Sequence, residues 1–238
     1  MKALILNSGM GTRMGVHTST HPKCMTELLE GETILSRQLK MLYRCGITDV
    51  VITTVYFNDV LMEYCHSLDL PLNCSFILNP KYRETNYIYS IYCARDVLAG
   101  EDILLMHGDL VFEESVLKDI LACEKSCMKV SSTLPLPEKD FKAVIKNGEV
   151  KKVGVEFFEN AMEAQALYKL NATDWDKWLN KMIQYCENDK RKCYAEVAFN
   201  EISDDCIIHA YDVKDRLCSE IDTPKDWDVV LNKLSLTT

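Results

Sequence analysis

The chain has 238 residues, 47% of them apolar, which is enough for one large domain with its own core. Its formal charge of −9 excludes the broad basic face of a general nucleic-acid binder and leaves room only for a local basic pocket. The 11 cysteines include no C-x-x-C pair, so the common paired zinc spacings are excluded and free thiols in a reducing compartment are expected.

The N-terminus lacks a signal-peptide pattern, and no apolar run is long enough to span a membrane, so a cytoplasmic chain is expected. Residues 2–6, KALIL, are an apolar run of strand length, and NSGMGTRMG follows at 7–15. Residues 33–45 place Ile34, Leu35, Leu39, Leu42 and Cys45 on one helical face. A strand over 49–55, a helix over 58–68, a strand over 74–78, a helix over 88–98 and a strand over 102–106 continue the alternation. A helix over 113–125 turns Val116, Leu117, Ile120 and Leu121 inward. Apolar strands separated by helices predict right-handed βαβ units.

The second half changes character. Residues 142–155 alternate and split at Asn147-Gly148, a type I′ hairpin signal. Helices over 173–188 and 194–202, a strand over 206–213 and a closing helix over 223–234 follow, with Thr223 as N-cap and Pro224 in its first position. The expected fold class is α/β. It has a Rossmann-like, doubly wound, mixed but mostly parallel sheet, helices on both faces and a small hairpin-containing lobe. One domain covers residues 1–238.

A parallel strand leaves the sheet at its carboxyl edge, where ligands bind in such folds. Gly9, Gly11 and Gly15 let backbone amides turn towards an anion, and Arg13 adds a permanent forked charge. The loop suits a polyphosphate, although neither the Walker A nor the G-x-G-x-x-G spacing is met; alone, it reads equally well as a glycine-rich turn with a solvated arginine. Lys23, in HPKCM, follows a proline and has a solvated surface position as its alternative. Asp109, in HGDLVF, closes the strand over 102–106, and Asp222, in SEIDTP, precedes the last helix. Asp109 is placed to hold a divalent cation or to cap the next helix, and Asp222 has the same capping alternative.

These segments carry a resemblance. LILNSGMGTRMG resembles the first signature of the sugar-nucleotide pyrophosphorylase superfamily, of the form L-A-A-G-x-G-x-R. PKCM resembles its P-K-x-M/L, GDLVF its G-D-x-x-F, and EIDTPKDW its late acidic segment that ends in D-Y/W. Order and spacing match across nearly the whole chain. Within the superfamily, NPKYRETNYIYSIY (79–92) is similar to the short bacterial phosphocholine cytidylyltransferases and their relatives acting on phosphonates or amino-acid phosphates. The P-x-G-T/L-A/G stretch of the sugar enzymes is missing. Asn7 and Ser8 replace two alanines, Met14 a leucine, and Tyr87 a second asparagine.

The resemblance implies transfer of CMP from CTP to a small anionic phosphate or phosphonate acceptor bearing an amino group, with Mg²⁺ as cofactor and no nucleic-acid or membrane partner. It implies a nucleotide-binding half to about residue 135 and an acceptor-binding half from about 136. Lys23, Arg13, Asp109 and Asp222 would be catalytic, with Asp109 and Asp222 on the metal. The nucleotide would lie on Asn7, Ser8, Gly9, Met10, Gly11, Thr12, Arg13 and Asp109. Asn86 and Ser90 would read the base, or else serve as helix cap and helix packing. Tyr168, Trp175, Glu196 and Asn200 are the acceptor candidates, because aromatic faces beside a carboxylate suit an ammonium group. Trp175 and Trp178, three apart, also fit one packed helix face. A sugar-1-phosphate nucleotidyltransferase is the second enzyme reading, and a non-catalytic nucleotide-binding relative is the reading from another class.

Overall fold

The computed structural model describes residues 1–7, 14, 18 and 20–236. Its first half alternates as the pattern predicts. Strands β1 (Lys2–Leu6), β2 (Asp49–Thr54), β3 (Asn73–Leu78) and β4 (Ile103–His107) are separated by helices α1 (Ile34–Arg44), α2 (Asn58–Ser67) and α3 (Tyr87–Leu98). Thr33 starts α1 with a reciprocal cap, its hydroxyl accepting from the Ser36 amide at 3.1 Å while Ser36 Oγ accepts from the Thr33 amide at 2.9 Å. β1 sends Ala3 and Ile5 to the layer that holds Leu35 and Leu39 of α1. It sends Leu4 and Leu6 to the opposite layer, with Ile88 and Ile91 of α3. Both faces of the sheet are therefore covered, and each fully buried Leu or Ile contributes about 1.5–3 kcal/mol.

After β5 (Leu110–Phe112), α4 (Glu114–Ala122) and β6 (Cys127–Ser131), the chain forms the hairpin of β7 (Lys142–Lys146) and β8 (Glu149–Gly154). Asn147 and Gly148 have φ of 55° and 79°, the left-handed pair that a type I′ turn requires. β9 (Ala161–Leu170), α5 (Ala172–Glu187), α6 (Ala195–Asn200), β10 (His209–Asp212), β11 (Cys218–Glu220) and α7 (Pro224–Ser235) complete the order.

The main sheet has nine strands in the order β3-β2-β1-β4-β9-β6-β10-β8-β7. Parallel pairing holds from β3 to β4 and returns between β6 and β10. Every other pair is antiparallel, so the sheet is mixed as expected, but the expected parallel majority is corrected. The reason is β9. It enters antiparallel between β4 and β6, and its first residues also pair with β7. The strands β9, β6, β10, β8 and β7 thereby close into a ring around Ala143, Val150, Val153 and Ala164. A separate two-stranded sheet joins β11 to β5. Among the described residues, no helix is long and apolar enough to cross a membrane.

Candidate active site

β1 and β4 are neighbouring parallel strands, and both end at one edge of the sheet. Gly108 and Asp109 turn the chain from β4 into β5. Gln38 of α1 fixes that turn, its Nε2 donating to the carbonyls of His107 at 2.9 Å and Leu110 at 2.8 Å. Gly108 permits a close approach: a Cβ there would meet Asn7 Oδ1 at 1.7 Å, so the Asn7 side chain or the turn would have to move. The β5–β11 ladder brings the last segment alongside. Glu220 pairs with Leu110, and the Ile221 amide donates to the Asp109 carbonyl at 3.0 Å. Asp222, remote in sequence, thus comes beside Asp109.

Lys23 joins the two. Pro22 leads in with extended backbone, and a 3-10 turn over Lys23–Met25 follows. Lys23 Nζ lies 2.5 Å from Asp109 Oδ2 and 2.5 Å from Asp222 Oδ1. Burial alone lowers a lysine, but the two carboxylates outweigh it and raise Lys23 above its ordinary value. Burial likewise opposes ionisation of Asp109, and the Lys23 ammonium with His107 behind it overcomes this and holds the carboxyl below the usual range. Neither aspartate caps a helix: Glu113 precedes α4, and Thr223 caps α7 through the Asp226 amide at 3.3 Å.

His107 and Glu220 line the site with the two aspartates; Glu220 stands inside EIDTPKDW and His107 adjoins GDLVF, though neither was expected at the site. His107 Nδ1 and Glu220 Oε1 are 2.7 Å apart. Burial lowers His107, but Glu220 and the other nearby carboxylates raise it to about 9. Glu220 is pushed up by burial and by Asp109, against the pull of His107. One donor atom each from His107, Asp109 and Glu220 lie within 4.8 Å of one another.

The residues fit Mg²⁺ on their own chemistry. Asp109 Oδ1 is buried and makes no hydrogen bond among the described residues. Two carboxylates converge on one positive charge, and hard oxygen donors are the ligands that Mg²⁺ takes.

The site opens into a cleft of about 360 Å³, lined by Leu6, Thr85, Asn86, Tyr87, His107, Asp109, Lys139, Asp140, Phe141, Val155, Tyr194, Glu220 and Asp222. Its wall is aromatic. Phe141 and Tyr194 meet edge to face at 5.2 Å, Tyr87 and Tyr194 lie 5.8 Å apart, and Tyr87 meets His107 at 5.0 Å. Asn86 lines the cleft and also caps α3, its Oδ1 accepting from the Tyr87 amide at 2.7 Å.

Several expected site residues lie elsewhere. Ser90 is fully buried, accepts from Asn79 Nδ2 at 3.0 Å and does not line the cleft, which fits the helix-packing alternative. Trp175 is fully buried, its Nε1 donating to the Leu98 carbonyl at 2.9 Å, and Trp178 packs beside it at 6.3 Å. The packed helix face is therefore the correct reading of that pair. Asn200 is spent on the backbone of Val153, donating to its carbonyl at 2.9 Å and accepting from its amide at 2.7 Å. Tyr168 and Glu196 are each 1% exposed, and their side chains bond to each other at 3.0 Å. Burial raises the Glu196 carboxyl, while hydrogen bonds from Tyr87 and the charge of His107 pull it back. None of these four acceptor candidates lines the cleft. Asn7 is nearly buried at the end of β1, beside Gly108. Ser8, Gly9, Met10, Gly11, Thr12 and Arg13 lie outside the described residues.

A family model, the MobA-like NTP transferase domain, matches residues 3–131. The chain belongs to this family. It is 31% identical over 160 residues to the CTP:phosphoglutamine cytidylyltransferase of Campylobacter jejuni, covering 64% of this chain and 62% of that one. It is 33% identical over 117 residues to the choline-phosphate cytidylyltransferase of Haemophilus influenzae, covering 49% of this chain and 47% of that one. The matches thus span less than two thirds of either relative. A UDP-glucose pyrophosphorylase solved with UDP-glucose superposes with a TM-score of 0.81 at 14% identity, over 100% of this chain and 99% of that one. At that identity the likeness is one of fold.

Proposed function

We propose that the protein is a Mg²⁺-dependent cytidylyltransferase that moves CMP from CTP to a small phosphorylated amino alcohol or an aminoalkylphosphonate. The observation that carries this reading is the meeting of Lys23, Asp109 and Asp222 beside a cleft that the two aspartates line together with Tyr87, Phe141 and Tyr194. The acidic end suits phosphates only with a cation present, and the aromatic wall suits an ammonium head group.

In the reaction, an oxygen of the acceptor phosphate bonds to the α-phosphorus of CTP. The bond from that phosphorus to the bridging oxygen breaks, and pyrophosphate leaves with the electron pair. The acceptor is already an anion, so no general base is required. Positioning and charge neutralisation then dominate the rate. Asp109 and Asp222 would hold Mg²⁺, which neutralises phosphate charge as a Lewis acid. Lys23 supplies a fixed positive charge between Asp109 and Asp222. Arg13 and the backbone amides of residues 9–12 are assigned to the β- and γ-phosphates. Asn86 is the remaining candidate for contact with the base.

The test is pyrophosphate release with Mg²⁺, crossing four nucleoside triphosphates with phosphocholine, phosphoethanolamine, 2-aminoethylphosphonate and sugar-1-phosphates. Turnover with CTP and an amino acceptor, lost by at least about 10²-fold in Asp109→Ala, is the expected result. Turnover only with a sugar-1-phosphate would replace the acceptor class. CTP binding without any turnover would point to the non-catalytic relative, and full activity in Asp109→Ala would overturn the metal assignment.

A further inference from the structure

Glu196 sits in the first turn of α6 and is almost wholly buried. It accepts hydrogen bonds from two phenols, Tyr87 and Tyr168, the second at 3.0 Å. Burial, then the Glu196 charge, push both hydroxyls well above the usual tyrosine range, so both remain protonated donors. The two tyrosines differ in one respect. Tyr168 is buried away from the cleft, whereas Tyr87 lines it, next to Tyr194 and Phe141. The buried carboxylate is therefore joined to the cleft through one aromatic ring.

A phenol that donates to a carboxylate gains electron density in its ring. A ring richer in electrons holds a cation more strongly, and it does so without exposing the carboxylate to water. The same ring gives a neutral group of equal size only its dispersion contact. We propose that Glu196, acting through Tyr87, makes the acceptor end of the cleft select a cationic head group over a neutral one of the same shape. The inference rests on the reading of this cleft as an acceptor site. Glu196 is a positioning residue in this scheme: it touches Tyr87, and Tyr87 meets the head group.

Two pairs of isosteres test it. Phosphocholine and 3,3-dimethylbutyl phosphate share a shape and differ in charge, as do phosphoethanolamine and n-propyl phosphate. Acceptor KM and kcat are measured for both members of each pair with CTP and Mg²⁺. The wild type should favour the cationic member. Glu196→Gln should raise the KM of the cationic member by about three- to tenfold, the range of a desolvated cation–π contact, and leave its neutral isostere and kcat nearly unchanged. Tyr87→Phe keeps the ring but cuts the link, so it should reduce the preference too, and it carries the test if Glu196→Gln fails to fold. Tyr168→Phe removes the other donor and should leave the preference intact. Equal losses for cationic and neutral members would assign Glu196 a packing role only and overturn the proposal. No turnover with any of the four acceptors would overturn the acceptor reading itself, and this inference with it.

Discussion

Asp109 owes its position to two neighbours with no charge of their own. Gln38 ties down the carbonyls on either side of it, and Gly108 lets Asn7 lie against the turn. Gly108→Ala would place a methyl group 1.7 Å from Asn7 Oδ1. The expected cost is about 1–3 kcal/mol of stability, read by thermal melting, with a loss of activity as the turn shifts. Asn7→Ala combined with Gly108→Ala should recover most of the melting temperature, because the clashing atoms are gone. An unchanged melting point in the single variant would contradict the close approach. At this scale the aspartates and Lys23 were legible in the sequence, each standing beside a strand, a proline or a capping threonine. His107, Glu220, Phe141 and Tyr194 were not singled out, although His107 adjoins the Gly108-Asp109 turn and Glu220 stands in the same EIDTPKDW segment as Asp222. They come from separate segments, and each alone looks like an ordinary core or surface residue. Glu196 and Tyr168 were expected to touch the acceptor, but both are buried, bonded to each other and absent from the cleft lining.

Among the elements, β5, β6, β9 and β11 are the strands the periodicity did not show, and β9 is the longest of them. Residues 161–170 are rich in Ala, Met, Glu, Gln and Leu, which favour helix, and they do not alternate. Pairing along both edges overrides that preference, and Glu163 to Leu170 are all buried. Burial also explains the missing alternation, since a strand covered on both faces has no solvent side. Its polar residues are satisfied internally: Lys129 of β6 pairs with Glu163, and Gln165 Nε2 donates to Glu163 at 3.0 Å. Lys129 is fully buried. Lys129→Met leaves that carboxylate buried without its cation and should cost about 3–5 kcal/mol in urea unfolding. Adding Glu163→Gln should restore part of the loss while keeping an acceptor for Gln165. A single variant as stable as wild type would show that the pair is dispensable. The hairpin of β7 and β8, by contrast, was legible from two residues, because only Asn147-Gly148 offers the left-handed pair its turn needs.

For the whole molecule, the sheet order sets where stability is concentrated. β1, β4 and β9 are central, while β3 is an edge strand with a partly exposed pattern. Native-state hydrogen exchange should therefore find the slowest amides in β1, β4 and β9, opening only with global unfolding, and faster exchange along β3. Uniform protection across these strands would contradict a graded sheet. The sequence by itself determined the βα alternation of the first half, the hairpin and the cap at Thr223, because each depends on neighbours a few positions away. Only the tertiary structure decided the balance of parallel and antiparallel pairs, the ring that β9 closes, the aromatic wall of the cleft and the partner of each buried charge. Those features rest on contacts between segments far apart in the chain, and the energy of such contacts is absent from any local pattern of residues.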